Sequence, residues 1–266
     1  MPELPEVERA RRIAEAVLVG RTILAVSVAD DRIVYDGVAP RTVARRLKGR
    51  RVEAVERWGK HFWLALDGRP WPVLHLGMTG RVLPLAPGEP RPRFWKLLLS
   101  LDTGERLAYT NARRLGRVRL RDDPPARPPI SKLGFDPLHA MPEPREVGAT
   151  LARRAAPIKA VLLDQSFAAG VGNWIADEVL YQAGLSPHRP ANALTVAEVA
   201  RLMRELESVI RIAVEADADA ARFPSDWLFH RRWRRKGDDG LAADGTAIVH
   251  ETIAGRTAAW APAVQR

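Results

Sequence analysis

Cysteine is absent from the 266 residues. Its absence excludes disulfides and every thiolate zinc site. No apolar run approaches the roughly 20 residues that a membrane-spanning helix needs. The acidic, amphipathic start also lacks the basic-then-apolar order of a secretory signal, so a cytoplasmic protein without membrane contact is expected. Lysine is scarce too, with only Lys48, Lys60, Lys96, Lys132, Lys159 and Lys236 among 42 basic residues, so a lysine inside a motif carries more weight than usual. Against 32 acidic residues the basic ones leave a net charge of +10. That surplus favours a polyanion, nucleic acid above all, although an arginine-rich composition would produce the same excess without one. The 46% hydrophobic content supports a real core, and the length allows one large domain or two ordinary ones.

Apolar residues Val7, Ala10, Ile13, Ala14, Val17 and Leu18 recur at helical spacing, and Gly20 ends the pattern. Short β-like segments follow at 22–28, 51–58, 62–66, 73–76, 94–101, 107–110 and 117–120, with a short helix at 40–47. The run Asp122-Asp123-Pro124-Pro125-Ala126-Arg127-Pro128-Pro129 suits neither helix nor central strand and reads as a linker. Helical patterns then cover 144–154, 157–165, 174–183 and 195–216, the last opened by a Thr195/Glu198 capping box. A basic, aromatic segment and a hairpin pairing 246–253 with 257–261 close the chain. The expected fold class is α+β: an N-terminal helix and two-layer β-sandwich over 1–121, a linker at 122–130, a helical domain at 131–221 and a β-hairpin region at 222–266.

The stretch Pro2-Glu3-Leu4-Pro5-Glu6-Val7-Glu8 has two readings. In one it is only a helix start, with Pro5 in the first turn and acids facing the helix dipole. In the other, removal of Met1 exposes a secondary amine beside the Glu3 carboxylate. An α-amino group has a reference pKa of about 7.7–8.0, so much of it is unprotonated at neutral pH. Attack of such an amine on a sugar C1′ gives an iminium ion that cannot lose a nitrogen proton. That fixed charge is an electron sink, and an adjacent carboxylate can shuttle the protons.

Further motifs recur along the chain: Trp58-Gly59-Lys60-His61-Phe62, His75-Leu76-Gly77-Met78-Thr79-Gly80, Tyr109-Thr110-Asn111-Ala112-Arg113-Arg114-Leu115-Gly116, Ile158-Lys159, Gly170-Val171-Gly172-Asn173 and Gly255-Arg256-Thr257. With the N-terminal stretch, their order resembles the formamidopyrimidine-DNA glycosylase/endonuclease VIII family, closer to the formamidopyrimidine branch. The resemblance implies a DNA clamp containing a helix–two-turn–helix, acting as a monomer on double-stranded DNA with oxidised bases or abasic sites. It also implies excision of the damaged base followed by β- and δ-elimination, without a cofactor.

On that resemblance Pro2 is the nucleophile and Glu3 the acid/base. Lys60 serves the scissile phosphates and proton transfer, and Arg256 grips phosphates around the lesion. Arginine is a poor acid, so the grip is the stronger part of that assignment. Asn173 opens a helix whose backbone amides suit a phosphate. Arg154 and Lys159 stand as DNA contacts or as ordinary surface charges. Met78, Arg113 and Leu115 match the positions that fill the gap left by the flipped nucleotide. Leu115 stands where the branch normally has an aromatic side chain; it can still wedge but has no flat face for the estranged base.

Most bacterial members end in a four-cysteine zinc finger. Here Gly240, Ala243, Ala261 and Val264 stand at those positions, resembling the zincless finger of plant and fungal members. No metal is therefore expected, with Ile248, Ile253 and Trp260 packing the hairpin. The short passage from residue 222 to Lys236 leaves little room for a loop that caps an everted 8-oxoguanine. Formamidopyrimidines, hydantoins or oxidised pyrimidines are accordingly expected as better substrates. Two rival readings are a clamp that binds damaged DNA without chemistry and an RNA-associated factor. The second leaves Pro2, Glu3 and the wedge residues without a purpose.

Overall fold

The computed structural model describes residues 2–233 and 240–266. Two compact units divide the chain, Met1–Lys132 and Leu133–Arg266.

The first unit opens with α1 (Leu4–Leu18), whose buried residues Leu4, Val7, Ala10, Ala14 and Leu18 form one apolar stripe. Gly20, at φ +80°, follows the helix in the left-handed conformation that only glycine adopts without strain. Eight strands then form two antiparallel four-stranded sheets. One has the order β1 (Ile23–Val28), β6 (Trp95–Leu101), β7 (Arg106–Asn111), β5 (Gly80–Leu85). The other runs β2 (Val52–Trp58), β3 (His61–Leu66), β4 (Trp71–His75), β8 (Arg117–Arg121). The short helix α2 (Pro40–Leu47) packs on β1, and α1 lies against strands of both sheets, β2 and β3 on one side and β5 and β7 on the other. An apolar core joins these elements, including Val7, Leu18, Phe62, Leu74, Leu97 and Tyr109.

The sequence pattern does not announce β5, because Pro84 interrupts it. The register explains its survival: β5 is an edge strand paired only with β7, so a residue lacking N–H can face outward. Pro72 fails to stop β4, which begins at Trp71 rather than Val73, because at that position β4 pairs with β8 alone. The proline-rich stretch after β8 stays with this unit, and Arg121 Nε donates to the Pro128 carbonyl at 2.7 Å.

The second unit holds α3 (Pro144–Leu151), α4 (Ile158–Leu163), α5 (Asn173–Gln182) and α6 (Val196–Glu215). Thr195 and Glu198 cap α6 reciprocally, with Thr195 N–H to Glu198 Oε2 at 2.7 Å. Helix α5 is the hub: it packs on α4, on α6, on the turn at Leu228–His230 and on the C-terminal hairpin. Phe223, Trp227 and Phe229 gather around the Trp174 ring at its N-terminal end, with centroids 5.1–6.5 Å away. The hairpin pairs β9 (Val249–Ile253) with β10 (Arg256–Trp260), shorter than the sequence pattern suggests. Ala254 (φ +50°) and Gly255 (φ +73°) make a two-residue turn of the primed kind that matches strand twist. No helix among the described residues is long and apolar enough to cross a membrane.

Candidate active site and nucleic-acid interface

The chain start is a built helix cap. Glu3 precedes α1 in extended backbone and forms a reciprocal capping box with Glu6, its amide donating to Glu6 Oε2 at 2.9 Å. Glu3 is only 2% exposed, so its carboxyl group is enclosed one residue away from Pro2. Pro2, Glu6, Arg9, Leu76, Gly80 and Arg81 help line an open pocket of about 560 Å³. The helix-start reading and the acid-beside-amine reading therefore describe the same residues.

In the second turn of the helix, the buried Glu8 accepts Arg57 Nε at 2.8 Å and Arg11 Nε at 3.0 Å. Burial pushes the Glu8 carboxyl up, and Arg57 with Arg11 outweighs it, holding the group below its ordinary value. The buried Arg57 continues to the Gly59 carbonyl at 3.1 Å. Gly59 (φ +57°) is the first central residue of the tight β2–β3 turn, and Lys60 is the second. Helix α1 and the Lys60 turn are thus joined through one enclosed guanidinium. Lys60 itself is 9% exposed, unlike the solvated lysine usual at a hairpin tip.

Next to Lys60, His61 faces His75 across the β3–β4 register with ring centroids 4.8 Å apart. Burial, reinforced by His75 and nearby cations, pushes His61 down to about 3. Burial, with Lys60, Arg119 and Arg117, pushes His75 to about 4. Both rings are neutral at pH 7. His75 Nδ1 accepts the Gly77 amide at 3.1 Å, so its proton resides on Nε2 as an available donor.

The segments 75–80 and 111–116 are laced together. Asn111 Nδ2 donates to the Leu76 carbonyl at 2.9 Å, and Asn111 Oδ1 takes the Leu115 amide at 3.0 Å. Arg113 N–H reaches Thr79 Oγ1 at 3.1 Å, and Tyr109 Oη donates to the His75 carbonyl at 2.9 Å. A Cβ on Gly77 would lie 2.4 Å from the Leu115 carbonyl carbon, and one on Gly116 would lie 1.8 Å from Tyr109 Oη. From this frame Met78 and Leu115 project with 41% and 42% of their surface exposed. Arg113 is exposed, and its guanidinium has no partner among the described residues. The structure brings these three sequence-selected residues onto one pair of linked turns.

In the second unit, Gln165 knits the turns between α4 and α5. Its Nε2 donates to the carbonyls of Leu163 and Val171 at 2.9 and 2.7 Å, and its Oε1 takes the Gly170 amide at 3.1 Å. Asn173 opens α5, and its Oδ1 is buried without a hydrogen-bond partner among the described residues. Arg154 braces the same turns by an ion pair to Asp164 at 2.9 Å, its guanidinium 5.2 Å above the Phe167 ring centre. Arg256 begins β10 fully at the surface, and its guanidinium has no partner among the described residues.

Lys159 requires a correction. Rather than a surface cation available to DNA, it is 0% exposed and ion-paired to Asp177 at 2.6 Å. Lys159 lies with Ile158, Val161 and Leu162 on the packed side of α4, where Asp177 of α5 and the Thr257 carbonyl of β10 take its ammonium. The hairpin packing also differs in emphasis. Ile248 joins Leu228, Ala242 and Ala259 in a small core, while Trp260 is half-buried against His188 and donates to Glu251. Lys236, the end of the short passage expected to leave little room for a capping loop, lies outside the described residues.

Sequence reasoning passed over Glu8, Arg57 and Asp177. Their signals were present: Arg57 shares strand parity with the inward Val55, and Asp177 interrupts the apolar run of α5.

Comparison with known proteins gives the family. The formamidopyrimidine-DNA glycosylase N-terminal domain matches residues 1–118, and the H2TH domain of the same enzymes matches residues 133–225. The chain belongs to the formamidopyrimidine-DNA glycosylase family. Its members are DNA glycosylases of base-excision repair with abasic-site lyase activity. A formamidopyrimidine-DNA glycosylase of Arabidopsis thaliana is 38% identical over all of this chain and 71% of its own length. One from Desulfitobacterium hafniense is 31% identical over the full length of both. A Lactococcus lactis FPG mutant, solved with DNA containing Fapy-dG, superposes with a TM-score of 0.86 at 25% identity, covering both chains completely. The α+β architecture is the one found in that structure.

Proposed function

We propose that this chain removes formamidopyrimidines and related oxidised bases from duplex DNA through a Schiff base on Pro2, and then cleaves the strand by β,δ-elimination. The observation that carries the reading is the enclosed Glu3 carboxyl next to Pro2, on a capped helix start that lines a pocket with Leu76 and Gly80. After removal of Met1 the Pro2 nitrogen attacks C1′, the N–C1′ bond forms as the base leaves, and the ring opens to an iminium. Glu3 relays the protons in that exchange. Loss of the C2′ proton then expels the 3′ phosphate, and a second elimination expels the 5′ phosphate. Lys60, on its enclosed turn, serves the phosphates and proton transfer.

Met78, Arg113 and Leu115 are the residues we assign to the vacated stack. Asn173 with the first amides of α5, Arg154 at its partly exposed edge, and Arg256 are assigned to phosphates. The net charge of +10 supports a polyanionic partner. Formamidopyrimidines, hydantoins and oxidised pyrimidines are preferred to 8-oxoguanine in this reading.

Borohydride trapping tests the chemistry. A covalent adduct should form with abasic-site DNA, and mass spectrometry should place it on Pro2; Pro2→Gly should abolish or strongly reduce it. An adduct on another residue, or none with Met1 already removed, would reject the mechanism in favour of a clamp that only binds.

A further inference from the structure

The C-terminal hairpin has a fastening that the cysteine-free sequence did not reveal. Asp177, on the second turn of α5, is 2% exposed. Its Oδ1 takes the Lys159 ammonium at 2.6 Å, and its Oδ2 takes Arg232 Nη2 at 2.5 Å. The same Oδ2 accepts the Ala259 amide at 3.3 Å, and Lys159 Nζ also donates to the Thr257 carbonyl at 2.8 Å. Arg232 returns a contact to the other strand, its carbonyl accepting His250 Nε2 at 2.9 Å. All three charged side chains are buried.

Burying three charges is not the cheapest way to hold a hairpin. The small core of Leu228, Ala242, Ile248 and Ala259 already supplies apolar contact, and apolar replacement of a buried ionic cluster is often neutral or stabilising. What apolar contact lacks is direction. Strands β9 and β10 form an isolated two-stranded sheet, an arrangement of marginal stability by itself. Bonds to the Thr257 carbonyl and the Ala259 amide fix which residues of β10 lie over α5. Arg256 is the residue immediately before Thr257, so its position follows from that register.

We propose that Lys159, Asp177 and Arg232 are positioning residues that lock β10 onto α5 and so set where the Arg256 guanidinium meets DNA phosphates. They do the work that a zinc ion does in four-cysteine fingers. The functional half of this proposal rests on the assignment of Arg256 to phosphates.

Two measurements test it. Amide hydrogen exchange of the intact protein reads the fastening alone: Asp177→Asn should speed exchange at Ala259 and across 249–260 while leaving the first unit unchanged. Binding to a duplex carrying an abasic-site analogue reads the consequence. Arg256→Ala and Asp177→Asn should each weaken binding by about tenfold, and the double variant should be no weaker than either single one within about twofold. Should Asp177→Asn fail to fold, the triple variant Lys159→Met, Asp177→Leu, Arg232→Met removes the bonds without stranding a charge. It should fold and show the same faster exchange and weaker binding.

Unchanged exchange at Ala259 overturns the fastening, and penalties that multiply in the double variant overturn the route through Arg256. If Arg256→Ala binds like the parent protein while Asp177→Asn exchanges faster, the phosphate assignment of Arg256 fails and the functional half falls with it.

Discussion

Asp31 grips Arg114 with both carboxylate oxygens: Arg114 Nε lies 3.1 and 2.9 Å from Oδ1 and Oδ2, and Nη2 lies 3.0 Å from Oδ1. Arg114 sits between Arg113 and Leu115 with its backbone at φ +55°, a conformation that side chains rarely take. The ion pair stabilises that strained residue and hence the turn presenting its two neighbours. Lys96 completes the site with its ammonium 2.7 Å from Asp31 Oδ2.

Asp31→Asn should therefore cost about 2 kcal/mol at pH 7. Burial would raise the Asp31 carboxyl, but Arg114 and Lys96 pull it down to about 2 from an ordinary 3.8. A depressed carboxylate contributes stability above pH 3.8 that disappears as pH falls toward 2. Urea denaturation of the parent should show that acid loss, and the variant should lack it. Base excision from duplex DNA should slow in the variant at pH 7.

Glu178 produces the opposite slope. It is wholly buried in α5, accepts the Phe229 amide and the Gln182 side chain at 2.7 Å each, and burial pushes it up to about 7. The folded protein then holds a proton that the unfolded chain releases near pH 4.5, so stability should decline as pH rises from 4.5 to 7 and level off above. Glu178→Gln should flatten that limb in denaturation midpoints measured across the range.

The Glu8–Arg57 pair should be cooperative. Glu8→Gln strands the buried Arg57 charge and should cost about 3–5 kcal/mol; Arg57→Met should cost less because Glu8 keeps Arg11, and Glu8→Met with Arg57→Met should recover much of the first loss. Both variants carrying Arg57→Met should lower strand cleavage, because they release the Gly59 carbonyl whose bond to Arg57 steadies the Lys60 turn. A double-mutant cycle in denaturant with gel assays of cleavage checks both parts.

His61 and His75 should stay neutral through pH 5–8. Nitrogen-15 shifts should show no titration of either ring there, and should place the His75 proton on Nε2. Because the unfolded chain takes up protons below about pH 6.5, both rings should subtract stability as the solution is acidified toward pH 4.

Exhaustive chelation should leave thermal stability and strand cleavage unchanged. A large loss would show that a bound metal is needed and contradict the expectation that none is.

The sequence disclosed the parts of this molecule whose physics is local. The stripe Val7, Ala10, Ala14, Leu18 sets α1, Thr195 with Glu198 sets the start of α6, and glycine at position 59 sets the turn of Lys60. Strand β5 was hidden because Pro84 is excluded from central strands but tolerated at an edge, and edge position depends on sheet order. Lys159 was misplaced because its surroundings come from α5 and β10, residues far along the chain. The first-turn acids, the lysine turn and the exposed Met78, Arg113 and Leu115 were visible as types. Their supports, Glu8 with Arg57 and Asp31 with Arg114, depend on pairings across 49 and 83 positions.

Gly77 and Gly116 leave no gap between the two turns that carry Met78 and Leu115. Neither turn can shift without pushing its neighbour's backbone. Met78 and Leu115 consequently behave as prongs of a single fork, and in the wedge role proposed for them a duplex entered by one must admit the other in the same motion.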